Sequence, residues 1–450
     1  MVDIKQLLAD TSDIENLLES LEENQTQLVT GLSGSARTLV ISTILEKKKK
    51  PIILVAHNLF HASQLIEDFS GFVPEDQLHL FPVDEMIQAE MSISSPEYRA
   101  ERVAALDFLL SGKKGIVIIP LSGVRKLITP KEVWKKARFK INKGGELDPT
   151  NLAQDLVDMG YTREHLVGKP GEFSMRGGIV DIYPLTEEYP VRVELFDTEV
   201  DSLRYFEADT QRSIASIDKI TILPATDTIY TSSMLKAGAQ DFSEAVERNS
   251  DLILDAATKG LFIKNLTPII DAFDKGEPMD SLALYTDFIY PQHTSVLDYM
   301  HKNSLLIMDE YPLIMETESR LIEEEAEWIT SKLEERKILQ HQTFANDLRG
   351  VLKDVQQGTL YFSLFQKGMG NIRFKQIHAF QYRNMQQFFG QMPLLKTEMD
   401  RWVKQKNTVL VIVSDEDRAK KVNQTFKDFE IQSKIVKPKK IEIGKVQIMM

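Results

Sequence analysis

The 450-residue chain has no cysteine. That excludes disulfides, thiolate zinc sites, iron–sulfur clusters and a cysteine nucleophile. Long hydrophobic runs are missing too. PIILVA at 51–56 and GIVII at 115–119 are strand-length, far short of the ~20 residues that a membrane-spanning helix needs. The amino-terminal stretch MVDIKQLLADTSDIENLLES is acidic and helical in period, unlike a signal peptide, so a cytoplasmic protein is expected. Positive charge is in deficit: 54 Lys and Arg against 67 Asp and Glu leave a formal charge of −13. This argues against a protein that coats nucleic acid, although a local basic patch remains compatible. No internal repeat or low-complexity tract is visible. What is present, 42% hydrophobic and 27% charged residues, is ordinary for a globular chain able to bury a core. The length predicts about three domains.

Residues 1–130 alternate short apolar runs with helical stretches. QLVTGL at 27–32, PIILVA at 51–56, QLHLFP at 77–82 and GIVIIP at 115–120 read as strands. RTLVISTILEKKKK, FHASQLIEDFSGF and SPEYRAERVAALDFLLSG between them have helical spacing. Such alternation predicts a parallel sheet covered by helices, with ligands at the carboxyl ends of its strands. Over 131–217 the pattern changes to closely spaced strands with period-two alternation, predicting a small, largely antiparallel insert after a short helix near 150–160. The α/β pattern resumes after 227. SLLIMDEYP at 304–312 reads as a strand ending in two acids, followed by a long charged helix over 317–355. NTVLVIVSDEDRAKK at 407–421 opens a further α/β unit, and the strand-like KVQIMM at the end suggests that this unit is cut short.

Two segments bear on nucleotide chemistry. GLSGSART at 31–38 falls between a strand and a helix. A working phosphate loop reads G-x-x-x-x-G-K-[ST], with bare amides around the phosphates and a lysine reaching them. Gly31, Gly34 and Thr38 are suitably placed, but Ala36 replaces the last glycine and Arg37 the lysine. A Cβ at Ala36 hinders close approach of phosphate, and a planar guanidinium does not reproduce the compact ammonium. A relic loop that keeps the fold is expected. Asp309 and Glu310, after SLLIM, have the shape of a Walker B element, which would hold magnesium and orient water.

The insert carries a different signal. In Val191–Phe196, alternation puts Arg192, Glu194 and Phe196 on one face and the aliphatics on the other. Ser202, Arg204 and Phe206 repeat the pattern, and Arg176, just before Gly177-Gly178, is placed to join them. Aromatics ringed by arginine and acid have the composition of a protein-binding hot spot. Packing of Phe196 and Phe206 under a neighbouring loop fits the residues equally well. Other features read as structural. His57 and His61 have metal-like spacing without a third ligand, so no metal is expected. Lys47 to Lys50 close a helix before Pro51, and Glu323 to Glu325 lie on a solvated helix face.

The same segments resemble a known family. GLSGSART, PIILVAHNLFHASQLIEDF and SSPEYRAERVAALDFLLSGKKGIVIIPLSGVRKLITP resemble the first α/β domain of the excision-repair helicase UvrB. GYTREHLVGKPGEFSMRGGIVDIYP and VRVELFDTEVDSLRYFEADTQRS resemble its second domain, which binds UvrA. The chain is more similar still to the UvrB-homology module of the bacterial transcription-repair coupling factors, over residues 1 to about 375, with the rest resembling the start of a small following domain. The resemblance implies a degenerate P-loop-type parallel-sheet domain at 1–130 and 218–375. It implies a small mixed α+β, UvrA-binding insert at 131–217 and a truncated α/β domain at 376–450. UvrB's phosphate loop is intact, and UvrB carries a tyrosine-rich hairpin; FPVDEMIQAEMSISS at 81–95 is too short to be that hairpin and lacks its aromatics. By resemblance, Arg176, Arg192 and Phe196 carry the UvrA contact, with Glu194, Arg204 and Phe206 on the same face. It further implies no catalytic residue and no cofactor for this stretch. ATP, magnesium, DNA and RNA polymerase would engage only carboxy-terminal domains of the parent protein. The alternatives are an active UvrB-like DNA-dependent ATPase or helicase, and a DNA-binding module using Lys47 to Lys50 and the arginines of 99–138.

Overall fold

A computed structural model describes residues 4–21, 25–85, 95–290, 292–381, 388, 390–437 and 441–449. After two short amino-terminal helices come strand β1 (Thr26–Thr30), the helix Ser35–Lys48, strand β2 (Pro51–Ala56) and the helix Leu59–Ser70. Strand β3 (Leu78–Leu80), the helix Pro96–Ser111 and strand β4 (Gly115–Pro120) follow. Local chemistry sets these boundaries. Asn58 and Ser95 cap their helices through side-chain oxygens that accept from the amides of His61 and Tyr98. Lys47 and Lys48 fill the last turn of the helix that Lys49 ends in left-handed conformation, where cations oppose the helix dipole.

The next stretch holds β5 (Phe139–Asn142), the helix Pro149–Asp158, and the strands β6 (Thr162–Arg163), β7 (Glu172–Arg176), β8 (Ile179–Ile182), β9 (Val191–Phe196), β10 (Glu199–Phe206), β11 (Ser213–Ser216) and β12 (Lys219–Ile222). Strands β6 to β11 form a sheet in sequence order, antiparallel except for the β6–β7 pair, while β5 and β12 pair as an antiparallel ribbon. Beyond them lie β13 (Leu305–Asp309), β14 (Gly358–Ser363) and β15 (Gln376–Ala379), then a unit of β16 (Val409–Ile412), β17 (Lys434–Val436) and β18 (Val446–Met449). The main sheet runs β15-β1-β14-β13-β2-β4-β3, parallel throughout, and the last unit is a parallel sheet in the order β16-β18-β17. The protein is therefore mixed α/β, a large parallel sheet with a separate small mixed sheet.

Burial explains the arrangement. In β2, Ile53 and Val55 join one core while Ile52, Leu54 and Ala56 join the core on the opposite face. A strand buried on both faces reads as a continuous apolar run, as parallel strands do. The first of these cores continues into the insert through Trp134, Ile141, Phe173, Val180 and Val193.

Three sequence expectations need correction. The helix expected over 317–355 is two helices, Tyr311–Glu334 and Leu348–Asp354. Between them the chain turns through left-handed Arg336 and His341 and buries Ile338 and Phe344 against Trp328. The acids 323–325 are not all solvated, because Glu325 bonds the largely buried Arg125 at 2.6 Å. Between 227 and 305 the α/β alternation gives way to a helical hairpin, Ser232–Asp251 and Ala256–Lys275, with its own core around Phe242 and Phe273. The part of the 81–95 expectation that falls on 86–94 lies outside the described residues.

Candidate functional site

The degenerate loop and the two acids do come together. Gly31, Gly34, Ala36, Arg37 and Thr38 lie between β1 and the first turn of the helix Ser35–Lys48, at the carboxyl end of the sheet, where β13 ends in Asp309. Arg37 is buried and reaches both acids. One amino group of its guanidinium bonds Asp309, and the other bonds Glu310 at 2.6 Å. Asp309, fully buried, also accepts from His61 Nε2 at 2.7 Å. Burial alone pushes its carboxyl up, but the His61 hydrogen bond and the Arg37 charge overcome this and hold it below the usual range. Glu310 adopts a left-handed conformation and accepts from the Leu364 amide at 3.3 Å.

These residues do not fit a magnesium-bound triphosphate. Both carboxylates are engaged by a guanidinium that cannot deprotonate. The Phe380 backbone packs closely against the loop: a Cβ on Gly31, at φ +81°, would stand 2.1 Å from the Phe380 carbonyl oxygen. His61, half of the metal-like spacing in the sequence, serves here as a hydrogen-bond donor to Asp309. Its signal was its place, one turn into a helix following a strand of a parallel sheet. Among the described residues no group of three metal-ligating side chains is present.

The second constellation is the outward face of the insert sheet. The alternation predicted for β9 holds: Val191, Val193 and Leu195 enter or pack on the core, while Arg192 and Glu194 take the other face. Cross-strand register lines up Ser174, Asp181, Arg192 and Arg204 as one row over β7 to β10. Asp181 is fully buried in that row and binds Arg192 from the row and Arg176 from the end of β7. Arg192 donates from Nε at 2.6 Å and from Nη2 at 2.9 Å, and Arg176 donates from Nη2 at 2.7 Å. Glu194 pairs with Arg204 and accepts from Ser202 at 2.6 Å. The Arg204 bond, with the Ser202 bond second, depresses its carboxyl to about 2.

The two phenylalanines part company. Phe196 ends β9 beside left-handed Asp197 and is 79% exposed. Phe206 is fully buried, with the Arg192 guanidinium 4.4 Å over its ring. Phe206, named with Phe196 as part of the exposed face, keeps that face but not the exposure: alternation along β10 places it with Arg204, and the Arg192 guanidinium covers it. Asp181 was missed by sequence reasoning. Its signal was an acid inside the apolar run Ile179–Ile182, which needs a cationic partner to be buried.

A parallel-sheet domain whose phosphate loop is closed by its own arginine, with a small mixed-sheet insert between its strands, defines a UvrB-like module. Residues 139–227 match the UvrB interaction domain family. The chain is 36% identical to the transcription-repair-coupling factor of Bacillus subtilis (strain 168), over all of this chain and 38% of that relative. It is 32% identical to the protein of that name from Staphylococcus epidermidis (ATCC 12228), over 95% of the chain and 37% of the relative. For Staphylococcus aureus (NCTC 8325) the identity is 31%, over 96% and 37%. The chain thus spans a little over a third of the curated relatives it matches, and it is homologous to the amino-terminal, UvrB-like part of the transcription-repair-coupling factors.

Proposed function

We propose that this chain is a recruitment module for transcription-coupled excision repair, docking UvrA on the outward face of its insert sheet and hydrolysing no nucleotide itself. The observation that carries the reading is Phe196, exposed at the end of β9 on the sheet face that also carries Arg176 and Arg192, both held in place by Asp181. An exposed aromatic sharing a face with ordered arginines has the composition that alanine scanning finds at interface hot spots. Support also comes from the match of residues 139–227 to the UvrB interaction domain family.

Arg176 and Arg192 supply oriented donors, Phe196 an apolar anchor, and the Glu194–Arg204 pair a polar rim. Phe206 supports Arg192 from below and does not itself touch the partner. In the longer relatives, engagement of RNA polymerase and DNA, and any ATP turnover, would fall to other parts of the chain. The rival reading, a UvrB-like ATPase, is disfavoured by Arg37, whose guanidinium occupies both acids a metal would need. Calorimetric titration with UvrA tests the docking, and an ATPase assay with and without DNA tests the rival. Saturable binding without turnover supports the reading; DNA-stimulated hydrolysis by this chain overturns it.

A further inference from the structure

We infer that Asp181 is the positioning residue of the docking surface, and that it divides the labour between the two arginines. Arg176 is the charge offered to the partner, and Arg192 is a fixed platform beside it. The inference rests on the docking reading above and deepens it.

Three features set the two arginines apart. The Arg192 side chain is 13% exposed and the Arg176 side chain 44%, while their shared partner Asp181 has no exposure. Arg192 is held on every side. Its Nε and Nη2 make the bidentate pair with Asp181, Nη2 also donates to Gln211 Oε1 at 2.7 Å, and Phe206 stacks against its plane. Gln211 is itself fixed, because its side-chain amide donates to the Ala208 carbonyl at 2.8 Å. Among the described residues, Arg176 makes one side-chain bond, from Nη2 to Asp181. One buried carboxylate thus faces two guanidinium groups, so the trio carries a net charge of +1. Arg192 is pre-ordered, which lowers the entropy that binding must remove, whereas a partially exposed arginine retains charge for steering and for a carboxylate on the partner. The matching epitope is accordingly an apolar socket for Phe196 flanked by acid opposite Arg176.

The test is titration of folded variants of this chain with UvrA at several salt concentrations. Asp181→Asn keeps size and loses charge; it should weaken binding by about tenfold or more. Arg192→Ala should then cost much less in the Asp181→Asn background than in the wild type. Arg176→Ala should flatten the salt dependence, and Arg192→Lys, which keeps the net charge of the trio, should leave its slope unchanged. In the nitrogen-15 NMR spectrum, the slowly exchanging Arg192 Nε–H signal should disappear in Asp181→Asn. Arg192→Lys, which retains charge but not the bidentate fork, covers the case in which Asp181→Asn fails to fold; it should bind as poorly as Arg192→Ala.

If Phe196→Ala and Arg192→Ala both leave affinity unchanged, the docking reading itself fails. If they weaken it while Asp181→Asn binds within about twofold of wild type, or Arg192→Lys binds like wild type, the role of Asp181 is overturned and the docking reading stands. An equal loss of salt dependence in Arg176→Ala and Arg192→Lys overturns the division of labour.

Discussion

Phe196 and Phe206 end adjacent strands on the same side of the insert sheet, yet removing them should have opposite consequences. Phe196 is mostly in water, so Phe196→Ala should leave the unfolding temperature unchanged while weakening UvrA binding by about 2 kcal/mol or more, as hot-spot truncations do. Phe206 is wholly buried under Arg192, so Phe206→Ala should cost about 3–5 kcal/mol of stability, the usual range for a buried phenylalanine. Denaturant unfolding of the two variants separates them. Glu194 gives a pH prediction at the same scale. Its folded carboxyl lies near 2, below the ordinary value of 4.5, through the bonds from Arg204 and Ser202. A depressed carboxylate adds stability above its unfolded pKa and loses it as pH falls through the folded one. Glu194→Gln should therefore be less stable than wild type at neutral pH, and the difference should shrink below pH 4.5 and vanish near 2. The side chain is 32% exposed, so the effect should stay under about 1 kcal/mol. A constant difference across that range would contradict the assignment.

At the scale of elements, the loop after β1 and the end of β13 are clasped by Arg37 rather than by a nucleotide. Removing one member of a buried ion pair leaves the others uncompensated. Arg37→Ala should accordingly lower stability by about 3–5 kcal/mol. Arg37→Lys should give no ATP turnover, because Ala36 still crowds the loop. Millimolar magnesium–ATP should leave the wild-type melting temperature where it is, since only ligands bound by the native state raise it. Much of this level was legible in sequence. The strands 51–56 and 115–120 stand where the apolar runs put them, because a strand buried on both faces has no polar position to blur it. Strand β9 split its faces as its alternation required. Less legible was the segment after 334, where a charged helical period continues on paper but tertiary packing of Ile338 and Phe344 breaks the helix. The burial of Phe206 was less legible, because alternation gives the face a side chain takes and not the neighbour on the next strand, here Arg192, that covers it. His61 acts through a partner 248 residues away in the chain, which no local pattern reveals.

For the molecule as a whole, two surfaces that could each have carried function have separate fates. The carboxyl end of the main sheet, where this fold class handles nucleotides, is closed by its own side chains. The insert face offers an ordered, partly exposed cluster at the far end of a core it shares with the main sheet, through Trp134, Ile141 and Phe173. The core gives the insert sheet a rigid backing, and rigidity lowers what association must order. A chain with net charge −13 also makes a positive trio on one face a local exception, suited to selecting an acidic, partly apolar partner surface.

The measurement that tests this account most directly is calorimetric titration of the chain with UvrA in the absence of nucleotide, wild type beside Phe196→Ala. The account predicts saturable binding by the wild type in the micromolar range or tighter, about −8 kcal/mol. It predicts a loss of about 2 kcal/mol or more in the variant, with both proteins equally stable. A folded wild type that does not bind UvrA, or a Phe196→Ala variant that binds as well as wild type, would contradict it.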